Sequence, residues 1–187
     1  MRCLCCTKGG LWMAEELPLY MGHNLERIPR FPLPAGYRYR YFDTQMDAKS
    51  WANVVTKTKE FPHVDKAMER FKEEFLPCLT EAKKRIIFME TDCGEVVGTA
   101  TAWFGLWDGI EVGRLHWVEI IPEYQGKQLG RPLITKAMQT LKAYHETAYL
   151  KTQKSSQAAI HLYRQLGWYP LVIDEQEKQV WESLFKN

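Results

Sequence analysis

The chain has 187 residues, 45% of them apolar, with a formal net charge of +2. That length fits one domain, with or without an extension, and that apolar share is enough for a real core. The charge is too small for the basic footprint of a nucleic-acid binder, and no run of about 18 apolar residues is available to span a membrane. Near the start, no positive end is followed by an apolar stretch and a small-residue cleavage site, so a reduced, cytoplasmic setting is expected.

Residues 1–35 are rich in Pro, Gly and Cys and read as an extended N-terminal arm. Cys3, Cys5 and Cys6 resemble part of a metal site, with His23 as the nearest further ligand. A structural zinc site wants about four ligands from separated pairs, so no metal is expected and a frayed terminus is the alternative. Met13-Ala14-Glu15-Glu16 is a second possible start.

The domain proper is expected over residues 36–187. Tyr37 to Phe42 alternates aromatics with Arg and reads as a half-buried strand with snorkelling arginines, not as a stacking surface for bases. Asp43 or Thr44 can cap a helix running to about Lys57. Val64, Ala67, Met68, Phe71 and Phe75 place one apolar face on a second helix, ended by Pro77. Arg85 to Glu90 and Glu95 to Phe104 read as strands joined at Asp92-Cys93-Gly94. Gly105 to Gly113 reads as a loop, and Arg114 to Ile121 as the next strand.

A helix to about Tyr144, a strand from Thr147 to Thr152 and a helix from Gln157 to Leu166 follow. Ser155 or Ser156 caps that last helix and Gly167 ends it. Trp168 to Ile173 and Gln179 to Phe185 read as a closing hairpin. The order predicts a mixed α/β (α+β) sheet with helices packed on it.

Between the strand closed by Pro122 and the helix carrying Leu129, Leu133, Ala137 and Leu141 lies Gln125-Gly126-Lys127-Gln128-Leu129-Gly130-Arg131. A glycine-containing basic turn that opens a helix offers unpaired N–H groups and the positive end of the macrodipole. Lys127 and Arg131 add full charges. The expected guest carries a diphosphate. Pro132 is tolerated there because it falls in the first turn.

With these residues in view, the chain resembles the Gcn5-related N-acetyltransferase (GNAT) superfamily over roughly residues 36–187. The family's turn signature is Arg or Gln, two residues, Gly, one residue, then Gly or Ala. Gln125 and Gly130 match it, and Gln128 stands at the first Gly position. A second signature, A-x-x-L-Y-x-x-x-G-F/W, is matched within Ala158 through Trp168.

The resemblance implies a splayed sheet of about seven strands with about four helices. It implies acetyl transfer from acetyl-CoA to a small amine or a protein amino group, as a monomer or homodimer and without a metal. Backbone groups of Val118, Glu119 and Ile120 would hold the pantetheine arm. The amides of Gln125, Gly126, Lys127, Gln128, Leu129, Gly130 and Arg131 would hold the pyrophosphate. Ser156 stands where many members carry an Asn that bonds the arm. Tyr163 matches the family's acid at the sulfur, and His116 lies where arylalkylamine acetyltransferases carry a catalytic His.

The chemistry needs a base, because an alkylammonium of pKa about 10.4 is neutral in only about one molecule in 2,500 at pH 7. His116 and Glu119 are the candidates. In strict alternation they face opposite sides of the strand, so both can serve only across a bulge. Trp103, Trp107 and Asp108 are candidates for holding the acceptor's ammonium group by cation–π and charge contacts. His145, after the long helix, reads as a C-terminal charge or a solvated residue, and His161 as a surface residue.

Two other readings stay open: a catalytically silent acyl-CoA-binding module, suggested by Gln128, and a different acyl group or acceptor. Leu115 through Gly130 has some resemblance to mycothiol-synthase-like acetyltransferases, which makes a cysteinyl amine conceivable.

Overall fold

The computed structural model describes residues 17–185, so Cys3, Cys5, Cys6 and Met13 lie outside the described residues. Seven strands form a single mixed α/β sheet. In chain order the elements are β1 (Pro18–His23), β2 (Tyr37–Tyr41), α1 (Gln45–Lys57), α2 (Val64–Phe75), α3 (Leu79–Arg85), β3 (Ile86–Thr91), β4 (Val96–Trp107) and β5 (Ile110–Ile120). Then come α4 (Gly130–Lys142), β6 (Ala148–Gln153), α5 (Gln157–Gln165), β7 (Tyr169–Leu171) and α6 (Glu175–Phe185). The spatial order is β2-β3-β4-β5-β6-β1-β7. Strands β2 to β5 run antiparallel in sequence, and β5 meets β6 in parallel.

Both faces of the sheet are covered, so β3 is buried on both sides and reads as a continuous apolar run. Ile87 and Met89 join the core with Leu133, Ala137, Met138 and Leu141 of α4. Ile86 and Phe88 point the other way, into an aromatic core with Trp51 of α1 and Phe71 and Phe75 of α2. Trp51 is fully buried and meets Phe71, Phe75 and Trp117 edge-on at ring distances of 5.4, 5.8 and 5.2 Å. Such pairs add about 0.5–1.5 kcal/mol each beyond burial.

Several local expectations need correction. Pro18–His23, expected within the extended arm, is a strand paired with β6 and β7, with Leu19 and Met21 fully buried. A third helix, α3, follows Pro77 and is braced by Glu81, which pairs with Lys84 and Arg85 at 2.9 and 2.8 Å.

Residues 105–113 are not a loop. β4 and β5 form one long hairpin joined at Asp108-Gly109, both with positive φ (50° and 78°). That is the primed turn whose twist matches a hairpin.

Gln179 to Phe185 is helical, not a strand. The Asp174 carboxylate accepts the Glu177 N–H at 2.8 Å, and Glu177 in turn accepts the Ile173 N–H at 2.9 Å. This reciprocal capping starts α6. His145, just after α4, is half-buried, with its Nε2 3.1 Å from the Arg85 guanidinium.

Candidate active site

Strands β5 and β6 pair only from Gly113–Ala148 to Leu115–Leu150. Beyond Leu115 the two diverge, and the outer residues of β6 pair with β1 alone. The divergence coincides with a register shift on the other side of β5. Thr101 pairs with His116 and Thr99 with Glu119, so β5 carries one extra residue there. Trp117 takes the left-handed φ of 49° that this bulge demands.

Gly98 makes the close approach possible. A Cβ there would sit 2.9 Å from the Glu119 carbonyl oxygen. Because Thr99 and Thr101 share a face, so do their cross-strand partners, and the bulge brings His116 and Glu119 to the same side.

The environments of the two residues differ. Burial pushes the Glu119 carboxyl up to about 7, the Glu60 charge adds to this, and the Thr58 hydroxyl opposes it. Thr58 and Glu60 come from the α1–α2 connection, so that loop stands over the splay. His116 is engaged instead: its Nε2 lies 2.8 Å from Glu74 Oε1 of α2. Burial and the Arg114 charge hold its pKa below the usual value, outweighing the pull of Glu74.

Glu74 also accepts the Trp117 indole N–H at 3.2 Å. Burial raises this carboxyl, but His116, Arg114 and Trp117 more than offset that and leave it ionised. Sequence reasoning missed Glu74. It stands three residues after Phe71 on the buried stripe of α2, and a carboxylate on an apolar stripe was the available signal.

Tyr163, on α5, is buried against this region, its ring 6.3 Å from Trp168. Burial first, and then the Glu119 charge, push its hydroxyl well above the ordinary range, so it stays protonated. Ser156 is the N-cap of α5, half-buried and without a side-chain capping bond.

The turn after β5 leaves a run of backbone N–H groups without partners: among the described residues, no backbone N–H from Gly126 to Arg131 is spent on a hydrogen bond; the first helical bond is Leu133 N–H to Leu129 O. The space beside Gly126 is open. Gly130 is small because Leu162 of α5 would meet its Cβ at 3.0 Å. The Gln125 carboxamide donates to Ile120 O at 2.8 Å, lying along the free edge of β5 beside Val118 and Ile120. Lys127 is exposed over the Tyr124 ring and Arg131 is partly exposed, so both can reach a bound anion.

Gln128 has φ of 60° and an exposed side chain. A left-handed non-glycine residue costs roughly 1–2 kcal/mol, against which Gly adds about 0.5–1 kcal/mol of unfolded-state entropy. Gln128→Gly is therefore expected to stabilise the chain by about 0.5–1 kcal/mol in urea melts. A loss of stability would show that this side chain makes a contact outweighing the strain.

Of the expected acceptor residues, Trp107 and Asp108 are not brought to the splay, and Trp103 is taken up by the aromatic core. Trp103 is buried, stacked on Phe104 at 4.7 Å and edge-on to Phe75 at 5.0 Å. Trp107 packs on Tyr20 and Tyr149, and Asp108 turns the hairpin. Trp107 pairs with Ile110. Nine residues separate Ile110 from Glu119, roughly 30 Å at the rise of a strand. The aromatic and acidic groups near the bulge include Trp51, Phe61, Trp117, Glu60 and Glu74.

An open depression of about 400 Å³ lined by Lys83, Lys84 and Lys136 lies at the other end of α4. Asp43 and Glu81 already pair with Lys83 and Lys84 there, at 3.0 and 2.9 Å. Among the described residues no His, Cys, Asp and Glu group could hold a metal ion, and no helix is long and apolar enough to cross a membrane.

A family model described as the acetyltransferase (GNAT) family matches residues 48–168. A relative from Archaeoglobus fulgidus, described as an uncharacterized N-acetyltransferase, is 32% identical over 71 residues, covering 36% of this chain and 48% of its own length. The crystal structure of a GCN5-related N-acetyltransferase from Sphaerobacter thermophilus aligns with a TM-score of 0.63 at 18% identity, over 82% of this chain and 48% of that one. A GNAT-family structure from Novosphingobium aromaticivorans aligns at 0.57 and 21%, over 82% and 60% of the two chains. These structural likenesses concern the fold. The match spans about half the length of the curated relative and of the Sphaerobacter chain.

Proposed function

The chain belongs to the GNAT acetyltransferase family, and on that premise we propose that it moves an acetyl group from acetyl-CoA to a primary amine by direct attack within a ternary complex. The observation that carries this reading is the bulge at Trp117. It coincides with the parting of β5 from β6 and sets Glu119, whose carboxyl is pushed up to about 7 by burial, within electrostatic reach of the protonated Tyr163.

The unspent N–H groups from Gly126 to Arg131 fit a pyrophosphate, with Lys127 and Arg131 as counter-charges. Val118 to Ile120 and Ser156 flank the opened edge and fit the arm. Acetyl-CoA, when bound, supplies the activated acetyl group as a thioester.

The chain's own residues manage the protons. Glu119 removes one proton from the acceptor's ammonium group, which then attacks as the neutral amine. Tyr163 donates a hydrogen bond to the sulfur as the carbon–sulfur bond breaks. The second proton shed by the nitrogen replaces the one the sulfur takes. Phe61, Trp117 and Glu60 favour a cationic acceptor on the α1–α2 side.

The strained Gln128 supports a second reading, a silent acyl-CoA-binding module. Calorimetric titration with acetyl-CoA, with CoA and AMP as controls, followed by an amine panel, separates the two. Binding with amine-dependent release of CoA is expected. Binding without release supports the silent module, and no binding refutes both.

A further inference from the structure

Glu74 lies on α2, outside the strand, turn and helix that would hold acetyl-CoA. Its two carboxylate oxygens meet two successive residues of the bulged strand: Oε1 is 2.8 Å from His116 Nε2, and Oε2 is 3.2 Å from Trp117 Nε1. An indole N–H is a donor only, and an ionised carboxylate is an acceptor only. The second contact makes Oε2 an acceptor, and because Glu74 is held ionised, Oε1 can only accept as well, which requires His116 Nε2 to carry a proton. In the neutral imidazole this leaves the lone pair on Nδ1.

The same carboxylate holds Trp117 where its left-handed backbone costs energy, together with ring contacts to Trp51 at 5.2 Å, Phe61 at 5.5 Å and His116 at 4.5 Å. That backbone turn is what places Glu119 on the face of His116.

We propose that Glu74 is a positioning residue of the acetyl-transfer site: it sets the Nε2–H tautomer of His116 and locks the bulge that aims Glu119. The proposal rests on the acetyltransferase reading for its effect on rate, and on the two contacts of an ionised Glu74 for the tautomer. Other charges also act on this pair. Arg70 of α2 and Arg114 of β5 bias His116 toward the neutral form, and Glu60 acts on Glu119 from the α1–α2 loop. Thr101, opposite His116 on β4, is neutral, and its hydroxyl is buried without a partner.

Glu74→Gln tests the proposal with almost no change of shape. The carboxamide has one acceptor oxygen and one donor nitrogen. With the oxygen on Trp117, the NH₂ group faces His116 Nε2, which must give up its proton, and the tautomer switches to Nδ1–H. Proton–nitrogen multiple-bond NMR reads the tautomer in the whole chain. We expect Nε2–H in the unmodified protein and Nδ1–H in Glu74→Gln.

In steady-state assays Glu74→Leu, which removes both contacts and frees the bulge that aims Glu119, should lower kcat by up to about a hundred-fold, with the KM for acetyl-CoA little changed. Trp117→Phe, which removes the other donor, should leave the His116 tautomer in place. An unprotonated Nε2 in the unmodified protein, or an unchanged kcat in Glu74→Leu, would overturn the proposal. Absence of acetyl transfer by the unmodified chain would instead overturn the acetyltransferase reading, and the tautomer would still decide whether Glu74 sets His116.

Discussion

Glu119→Gln is expected to lower kcat/KM for the amine by about 10²–10⁴, the usual worth of a positioned proton acceptor. In the unmodified protein the rate should rise with pH through about 7, as the carboxyl ionises. The variant should lose that limb of the profile. Stability should move the other way. Folding raises the Glu119 pKa from 4.5 to about 7, so the native state holds a proton that the unfolded chain releases.

Below about pH 4.5 the carboxyl is neutral in both states and costs nothing; as pH rises through about 7 the native state loses this advantage, and above that the loss is constant. Gln suffers no such loss. At pH 8 the variant should be more stable, by on the order of 2 kcal/mol after solvent screening of a half-buried group is allowed for. Urea melts at pH 5 and pH 8 check this. Equal stability at both pH values, or an unaltered pH–rate profile, would remove Glu119 as the base.

Tyr163→Phe is expected to lower kcat by about 10²–10³, the measured range for loss of one donor to developing charge. Acetyl-CoA binding should stay within about threefold, because that hydroxyl acts only as the sulfur takes up charge. Its raised pKa is what suits it to the task, since it remains a donor at every working pH. Single-turnover measurements isolate the chemical step from product release. An unchanged single-turnover rate would take Tyr163 out of the mechanism, and a large loss of acetyl-CoA affinity would make it a binding residue.

The parts of this site that are local in the chain could be read from the sequence. The turn from Gln125 to Arg131 depends on a strand ending, a glycine and a helix beginning, all within a dozen residues. Tyr163 was legible from its neighbours from Ala159 to Trp168. The Glu74 contact was not, because it joins residues 43 apart and no local pattern encodes it. The bulge could be stated only as a condition for His116 and Glu119 to cooperate; Trp117 gives no sign in sequence that its φ is positive.

Two errors had physical causes. Gly105 and Gly113 suggested a flexible loop, yet each is small because something lies against the strand. A Cβ at Gly105 would collide with the Tyr149 hydroxyl, and one at Gly113 would meet Leu141 at 3.0 Å. Between them, Asp108-Gly109 was the true turn signal. At the C-terminus, Val180, Trp181, Leu184 and Phe185 read as a strand by composition. Their spacing of one, three and one is that of a helix face, and Asp174 with Glu177 supplies its cap.

The measurement that bears most directly on the central claim is the initial rate of CoA release, with acetyl-CoA and a reactive amine varied together. Direct attack within a ternary complex predicts double-reciprocal lines that intersect, and no release without the amine. Parallel lines would mean that the acetyl group rests on the protein between substrates. Bound acetyl-CoA with no amine-dependent release across the panel would mean that this splayed site holds the thioester without using it.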